Sequence, residues 1–199
     1  MNNIESNQEY FDQIFDRQNL LCAEVRGSVF EECAFNDCDF SASTWVGCKF
    51  IDCRFTRCNL SLATLARSRF SNVAFLESKL VGVDWTRAHW PSFELDPGLV
   101  FTDCILNDSS FFGLTLKELQ LHGCKLHDVD FREGNFSGSL MRDCDFSNSL
   151  FMRTDLSKVD FSGSVNLSID LLANTLTKAR ISRIEALSLL DSLGIELVD

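Results

Sequence analysis

Residues 28–75 read SVFEE CAFND CDFSA STWVG CKFID CRFTR CNLSL ATLAR SRFSN VAF. Counted in fives, Phe30, Phe35, Phe40, Trp45, Phe50, Phe55, Leu60, Leu65, Phe70 and Phe75 share one register. Two residues before each stands something small: Ser28, Cys33, Cys38, Ser43, Cys48, Cys53, Cys58, Ala63, Ser68 and Val73. An internal repeat of fixed period decides architecture before local propensity does.

The register reaches back to Leu20 and Val25 and forward to Leu80, Trp85 and Trp90. It restarts one residue out of phase at Phe101 and runs through Leu106, Phe111, Leu116, Leu121, Leu126, Phe131, Phe136, Met141, Phe146, Phe151, Leu156 and Phe161. All 28 central positions are apolar in a chain that is 45% hydrophobic. Neither they nor the positions two residues earlier carry a charge, although 24% of the chain is charged. Charge falls on the other three places of each pentad, as in Glu32, Asp37, Asp52, Arg57, Asp103, Glu133 and Asp143. This is an inside and an outside.

Period five fits neither a helix, which repeats at 3.6, nor a strand, which repeats at 2. It fits an all-β coil that turns a corner every five residues, with one large and one small side chain inside each side. Four sides close a coil of about 20 residues, and successive coils stack at roughly 4.8 Å through backbone hydrogen bonds. Seven coils would then make a rod about 34 Å long. Columns follow: Phe30, Phe50 and Phe70; Phe35, Phe55 and Phe75; Phe111, Phe131 and Phe151. Cys104, Cys124 and Cys144 form a ladder of small residues, with Cys33 over Cys53 and Cys38 over Cys58. Phe40, Phe136, Phe146 and Phe161 complete the expected aromatic core.

Eight of the nine cysteines occupy the small inward place, Cys22 being the exception. There is no C-x-x-C pair, so buried thiols acting as small apolar groups are expected, with no metal or other cofactor. The net charge of −11 disfavours direct nucleic-acid binding and favours a basic protein partner. No apolar run is long enough to span a membrane. The polar start, Met1–Gln8, has no basic or apolar signal character, so the expected location is cytoplasmic.

In chain order, residues 1–17 read as an N-terminal cap and 18–90 as the first half of the solenoid. Residues 91–100 read as a loop or bulge with a register shift, 101–166 as the second half, and 167–199 as a C-terminal helix and dimerisation tail. Both prolines, Pro91 and Pro97, fall at the shift, where a residue without an N–H is tolerated. Trp90, Ser92, Phe93, Glu94, Leu95 and Asp96 therefore form a candidate partner-contact loop, the alternative being a bulge that reseats the register. Ser182 and Glu185 have the spacing of a capping box, and Gly194 supplies a stop. Ala186, Leu187, Leu189, Leu190, Leu193, Ile195 and Leu197 are the expected dimer face, opposite Glu185, Ser188, Asp191 and Ser192.

Catalytic motifs are missing: no P-loop, G-x-G-x-x-G, H-E-x-x-H or G-x-S-x-G is present. His89, His122 and His127 are scattered at outward places. The reading is not an enzyme.

Cys38-Asp39-Phe40, Cys58-Asn59-Leu60, Cys144-Asp145-Phe146 and Thr154-Asp155-Leu156 resemble the motif of the pentapeptide-repeat proteins. The resemblance covers about residues 18 to 165 and implies a right-handed quadrilateral β-helix. Outside the pentads, Gly82-Val83-Asp84-Trp85-Thr86, Trp90-Pro91, Cys104-Ile105-Leu106-Asn107-Asp108 and the ending from Glu185 to Leu197 resemble the topoisomerase-protecting branch, the Qnr-type and albicidin-resistance proteins. A long first-half insertion found in some of that branch is absent. The resemblance implies a DNA-mimicking homodimer that binds DNA gyrase, with topoisomerase IV as a second candidate, and protects it from quinolones or albicidin-like toxins. The alternative is a general interaction scaffold with no topoisomerase role.

Overall fold

A computed structural model describes residues 3–91 and 97–195. The chain winds as a right-handed quadrilateral β-helix with one short helix at its C-terminal end. Paired strands are three residues long, parallel, and one coil apart, as in Phe30↔Phe50↔Phe70 and Phe35↔Phe55↔Phe75. The first face is a four-stranded sheet from Glu9–Phe11 to Arg69–Ser71. The second is a seven-stranded sheet from Ile14–Asp16 to Leu140–Arg142. Bridges from Leu140 to Asp160 and from Asp160 to Arg180 carry it to nine levels. On the third and fourth faces single bridges mostly alternate with β-turns, such as Ala63 N–H to the Leu60 carbonyl at 3.0 Å.

The corners explain the period. Two residues past a central side chain the backbone turns left-handed, with φ of 49° at Asp12, 54° at Glu32 and 52° at Asp52. For a non-glycine residue this costs roughly 1–2 kcal/mol. The cost is met because most corner amides are satisfied by the next coil: Asp12 N–H donates to the Glu31 carbonyl at 3.0 Å. Between corners, three extended residues point the central side chain inward. There the rings stack along each column, Phe35 on Phe55 at 4.4 Å and Phe111 on Phe131 at 5.3 Å, and meet edge-to-face between columns. Burying each phenylalanine contributes about 1.5–3 kcal/mol.

The small inward residues do more than fill space. Ser68 donates to the Trp45 carbonyl at 3.0 Å and accepts from the Cys48 amide at 3.1 Å. The Cys38, Cys53, Cys58, Cys104 and Cys124 thiols point at carbonyls of the preceding coil at 3.2–3.4 Å. The inward thiols are buried in the core as small groups, as expected, and their weak donors add contacts to the main chain. Where Ser68, Thr154 or these cysteines fill the position it is a buried donor to the main chain, a role serine, cysteine and threonine share, whereas the Ser139 hydroxyl has no partner. Burial pushes the Cys53 thiol up to about 12, and the hydrogen-bonding contact with Cys38, followed by burial, raises Cys58. All nine cysteines are free thiols.

Three expected boundaries move. Residues 1–17 do not form a separate cap: Tyr10 stacks on Phe30 at 4.9 Å and Phe15 on Phe35 at 5.1 Å, so the first coil already lies there. Polar residues such as Glu9, Asp12 and Arg17 occupy its outward places and disguise it. The solenoid also outlasts residue 166. Leu171, Leu176 and Ile181 keep the register against the core, and bridges join Asp155 to Thr175 and Asp160 to Arg180. One polar residue, Asn166, hid that last coil. Finally, the one-residue phase slip is an insertion of six. The corner amide bond spans 19 residues from Asp52 to Ser71 but 25 from Asn72 to Pro97. Modulo five, six and one look alike.

Candidate protein-interaction surfaces

The insertion of six falls between Trp90 and Pro97. Trp90 is half-buried: its indole packs over Phe70 at 6.3 Å and donates to the Trp85 carbonyl at 2.9 Å. Among the expected contact residues it therefore belongs to the wall of the coil. Pro97 is buried and its carbonyl accepts from Asn72 N–H at 2.7 Å, which seats the returning chain. Gly98 follows at φ +66°, where an added Cβ would stand 3.0 Å from the Asn72 Cα. Ser92, Phe93, Glu94, Leu95 and Asp96 lie outside the described residues.

The C-terminal helix, α1, spans Arg183–Leu190 and continues as a short 3-10 turn, Asp191–Leu193, before Gly194 at φ +66°. Ser182 caps it, accepting Glu185 N–H on its hydroxyl at 3.2 Å. The other half of the expected capping box is absent. The Glu185 carboxylate instead accepts Leu167 N–H from the last coil at 2.8 Å. Ser192 accepts Leu171 N–H at 3.2 Å. The polar side of the helix, joined by the buried Leu189, thus faces the solenoid. Ile184, Leu187, Leu193 and Ile195 face outward, at 78%, 53%, 39% and 48% exposure, with Ala186 also exposed and Leu190 half-buried. Leu197 lies outside the described residues. Among the described residues of the expected dimer face, only Leu189 is buried in the core.

Charge runs in rows along the corners. Between the first and second faces stand Asp12, Glu32 and Asp52, with Glu118 further on. Between the second and third, Arg17, Asp37, Arg57 and Glu77 alternate in sign, and Arg57 grips Asp37 bidentately at 2.7 and 2.9 Å. Nine levels at ~4.8 Å make a rod of about 38 Å. The net charge of −11 over that length is one charge per roughly 3.5 Å, about half the density of duplex DNA.

The histidines form no catalytic array. His127 meets Asp145 at 2.9 Å, but the Ser147 hydroxyl donates to that same carboxylate at 2.7 Å, away from the imidazole. A nucleophile needs its base as acceptor. These contacts, led against burial by Asn166 and Ser147, hold the Asp145 carboxyl below the usual range. No group of acidic, histidine and cysteine side chains suited to a metal occurs among the described residues. No helix among them is long and apolar enough to cross a membrane.

A family model described as pentapeptide repeat region matches residues 28–100 and 97–161. No curated protein matches the sequence significantly. Among solved structures, a trypsin-treated variant of QnrB1, described as a plasmid-mediated fluoroquinolone resistance protein, is similar with a TM-score of 0.72 at 17% identity. It covers 98% of this chain and 99% of that one. A second trypsin-treated QnrB1 variant gives 0.61 at 19% identity, covering 96% and 99%. At these identities the likeness is one of fold.

Proposed function

Because the chain belongs to the pentapeptide repeat family, we propose that it is a homodimeric, acidic rod that occupies the DNA-binding surface of DNA gyrase. Topoisomerase IV is the second target, and quinolones or albicidin-like toxins are the poisons countered. The observation that carries this reading is the end-to-end likeness to a fluoroquinolone resistance protein, which spans the solenoid and the terminal helix alike. The acidic rows supply the sign a DNA-binding surface recognises. The outward apolar helix face gives a second copy something to bury, and a two-fold pairing there would lengthen the rod.

The test is gyrase supercoiling with increasing amounts of the protein, with and without a quinolone. Rescue of a poisoned reaction is expected. Phe93→Ala combined with Leu95→Ala is expected to abolish the rescue if the inserted segment makes the contact. A general scaffold is the second reading, favoured by a line charge only half that of a duplex. No effect in either arm of the assay would establish it over the first.

A further inference from the structure

The rod is not acidic all round. On the corner between the fourth and first faces, Arg67 and Arg87 stand on successive coils, tied by Arg67 N–H to the Arg87 carbonyl at 2.8 Å. Both are exposed, as are Lys49 and His89 beside them on the first face. Lys49 lies in register with Arg69, and His89 N–H reaches the Ser68 carbonyl at 2.8 Å, so these side chains form one contiguous patch. Among the described residues none of Arg67, Arg87, Lys49 and His89 has an ion-pair partner. Further along the same corner the pattern differs, because Arg153 is already paired with Glu133.

The surroundings make the arginine pair accessible. The same corner carries Gly47 one coil before Arg67 and Gly113 one coil after Arg87, and an added Cβ at either glycine would meet nothing within 4 Å. The two arginines thus stand on hydrogen-bonded neighbouring coils between stretches of bare backbone. Across the first face from Arg67 and Arg87 the corner carries the uncharged Asn72 and Gly98, and the acidic row Asp12, Glu32 and Asp52 lies on the preceding coils. The face is thus acidic on its first coils and basic at the coils of Arg67 and Arg87.

We propose that the Arg67–Arg87 corner docks an acidic segment of a protein partner. Each guanidinium takes a carboxylate in its planar fork, the geometry Arg57 and Asp37 already show within this chain. A nucleic acid fits less well. A polyanion lying along this rod would be repelled by the remainder of a −11 surface, whereas a few carboxylates within a Debye length of ~8 Å are not. The acidic row on the preceding coils repels a segment that extends toward them, which confines the docked carboxylates to the Arg67–Arg87 coils. The inference stands whether or not the partner is a topoisomerase.

The experiment is a titration of the whole protein with a short glutamate oligomer at low salt, read on the arginine Nε–H resonances. Saturable shifts are expected at Arg67 and Arg87, with the internally paired Arg57 and Arg132 nearly still. Arg67→Glu with Arg87→Glu should weaken binding about tenfold or more, as expected for charge-assisted bonds, without changing the melting temperature. Arg67→Lys with Arg87→Lys, which keeps charge but loses the fork, should weaken it several-fold and covers the case in which the reversed pair fails to fold. Uniform shifts over all arginines would overturn the proposal. So would unchanged affinity in the variants, or tighter binding of a short DNA duplex at the same residues.

Discussion

Ser68 sits in the dry interior with one hydrogen bond given to Trp45 and one received from Cys48. Removing its hydroxyl strands a carbonyl and an amide at once, and an unsatisfied buried group costs about 1–3 kcal/mol. Ser68→Ala should therefore destabilise by roughly 2 kcal/mol in urea unfolding, and Ser68→Cys by clearly less, because the thiol keeps a weak donor. Equal losses would mean that packing alone decides the position. The thiols that fill equivalent places make a second prediction. They are buried beyond the reach of a reagent in the folded chain, and desolvation pushes Cys53 up to about 12. Cys22 alone is exposed. Thiol titration of the native protein should find one fast group, with the other eight of the nine cysteines reacting only on unfolding.

At the scale of the element, the last coil depends on Asp160. Its buried carboxylate accepts from Arg142 at 2.6 and 2.9 Å and from Arg180 at 3.0 Å, joining the second face to the coil that carries α1. Burial would raise it, but the Ser162 hydroxyl and amide and the Arg142 guanidinium more than offset this and hold it at about 2. A carboxyl depressed in the folded state adds stability that is complete above its unfolded value and fades as pH falls through the folded one. Asp160→Asn should therefore lower stability at neutral pH, with the gap closing between about pH 4 and pH 2. A gap constant with pH would reassign the loss to packing. An eight-residue helix is too short to persist alone, so α1 should loosen together with this coil. Its outward side makes a separate prediction: Ile184→Asp with Leu187→Asp should halve the mass in solution while leaving the β-rich circular dichroism intact. The helix itself was legible in the sequence from Ser182 and Gly194, but its orientation was not. Periodicity separates a polar side from an apolar one, and only the docking of Glu185 and Ser192 onto Leu167 and Leu171 shows which of them faces inward.

At the scale of the molecule, the fold could be read because the rule is strict: a central apolar residue every fifth place leaves few architectures. The reading failed only where outward chemistry entered the pattern, at the first coil and at Asn166, and where an insertion of six imitated a slip of one. The functional surface was less legible because the outward places are free to vary, and their meaning depends on which coils they stack beside. Arg67 and Arg87 are 20 residues apart in sequence and neighbours only in the fold. The same stacking governs how charge acts. A rod with about half the line charge of a duplex cannot rely on a uniform field; under the proposed function, affinity for gyrase would come from particular rows such as Asp12, Glu32 and Asp52. Exposed rows are screened by salt. Binding to gyrase should therefore weaken by about tenfold or more from low to physiological salt, and Glu32→Gln with Asp52→Asn should flatten that dependence while leaving the melting temperature unchanged. Salt-independent binding would count against DNA mimicry and leave an apolar contact at the inserted segment as the source of affinity.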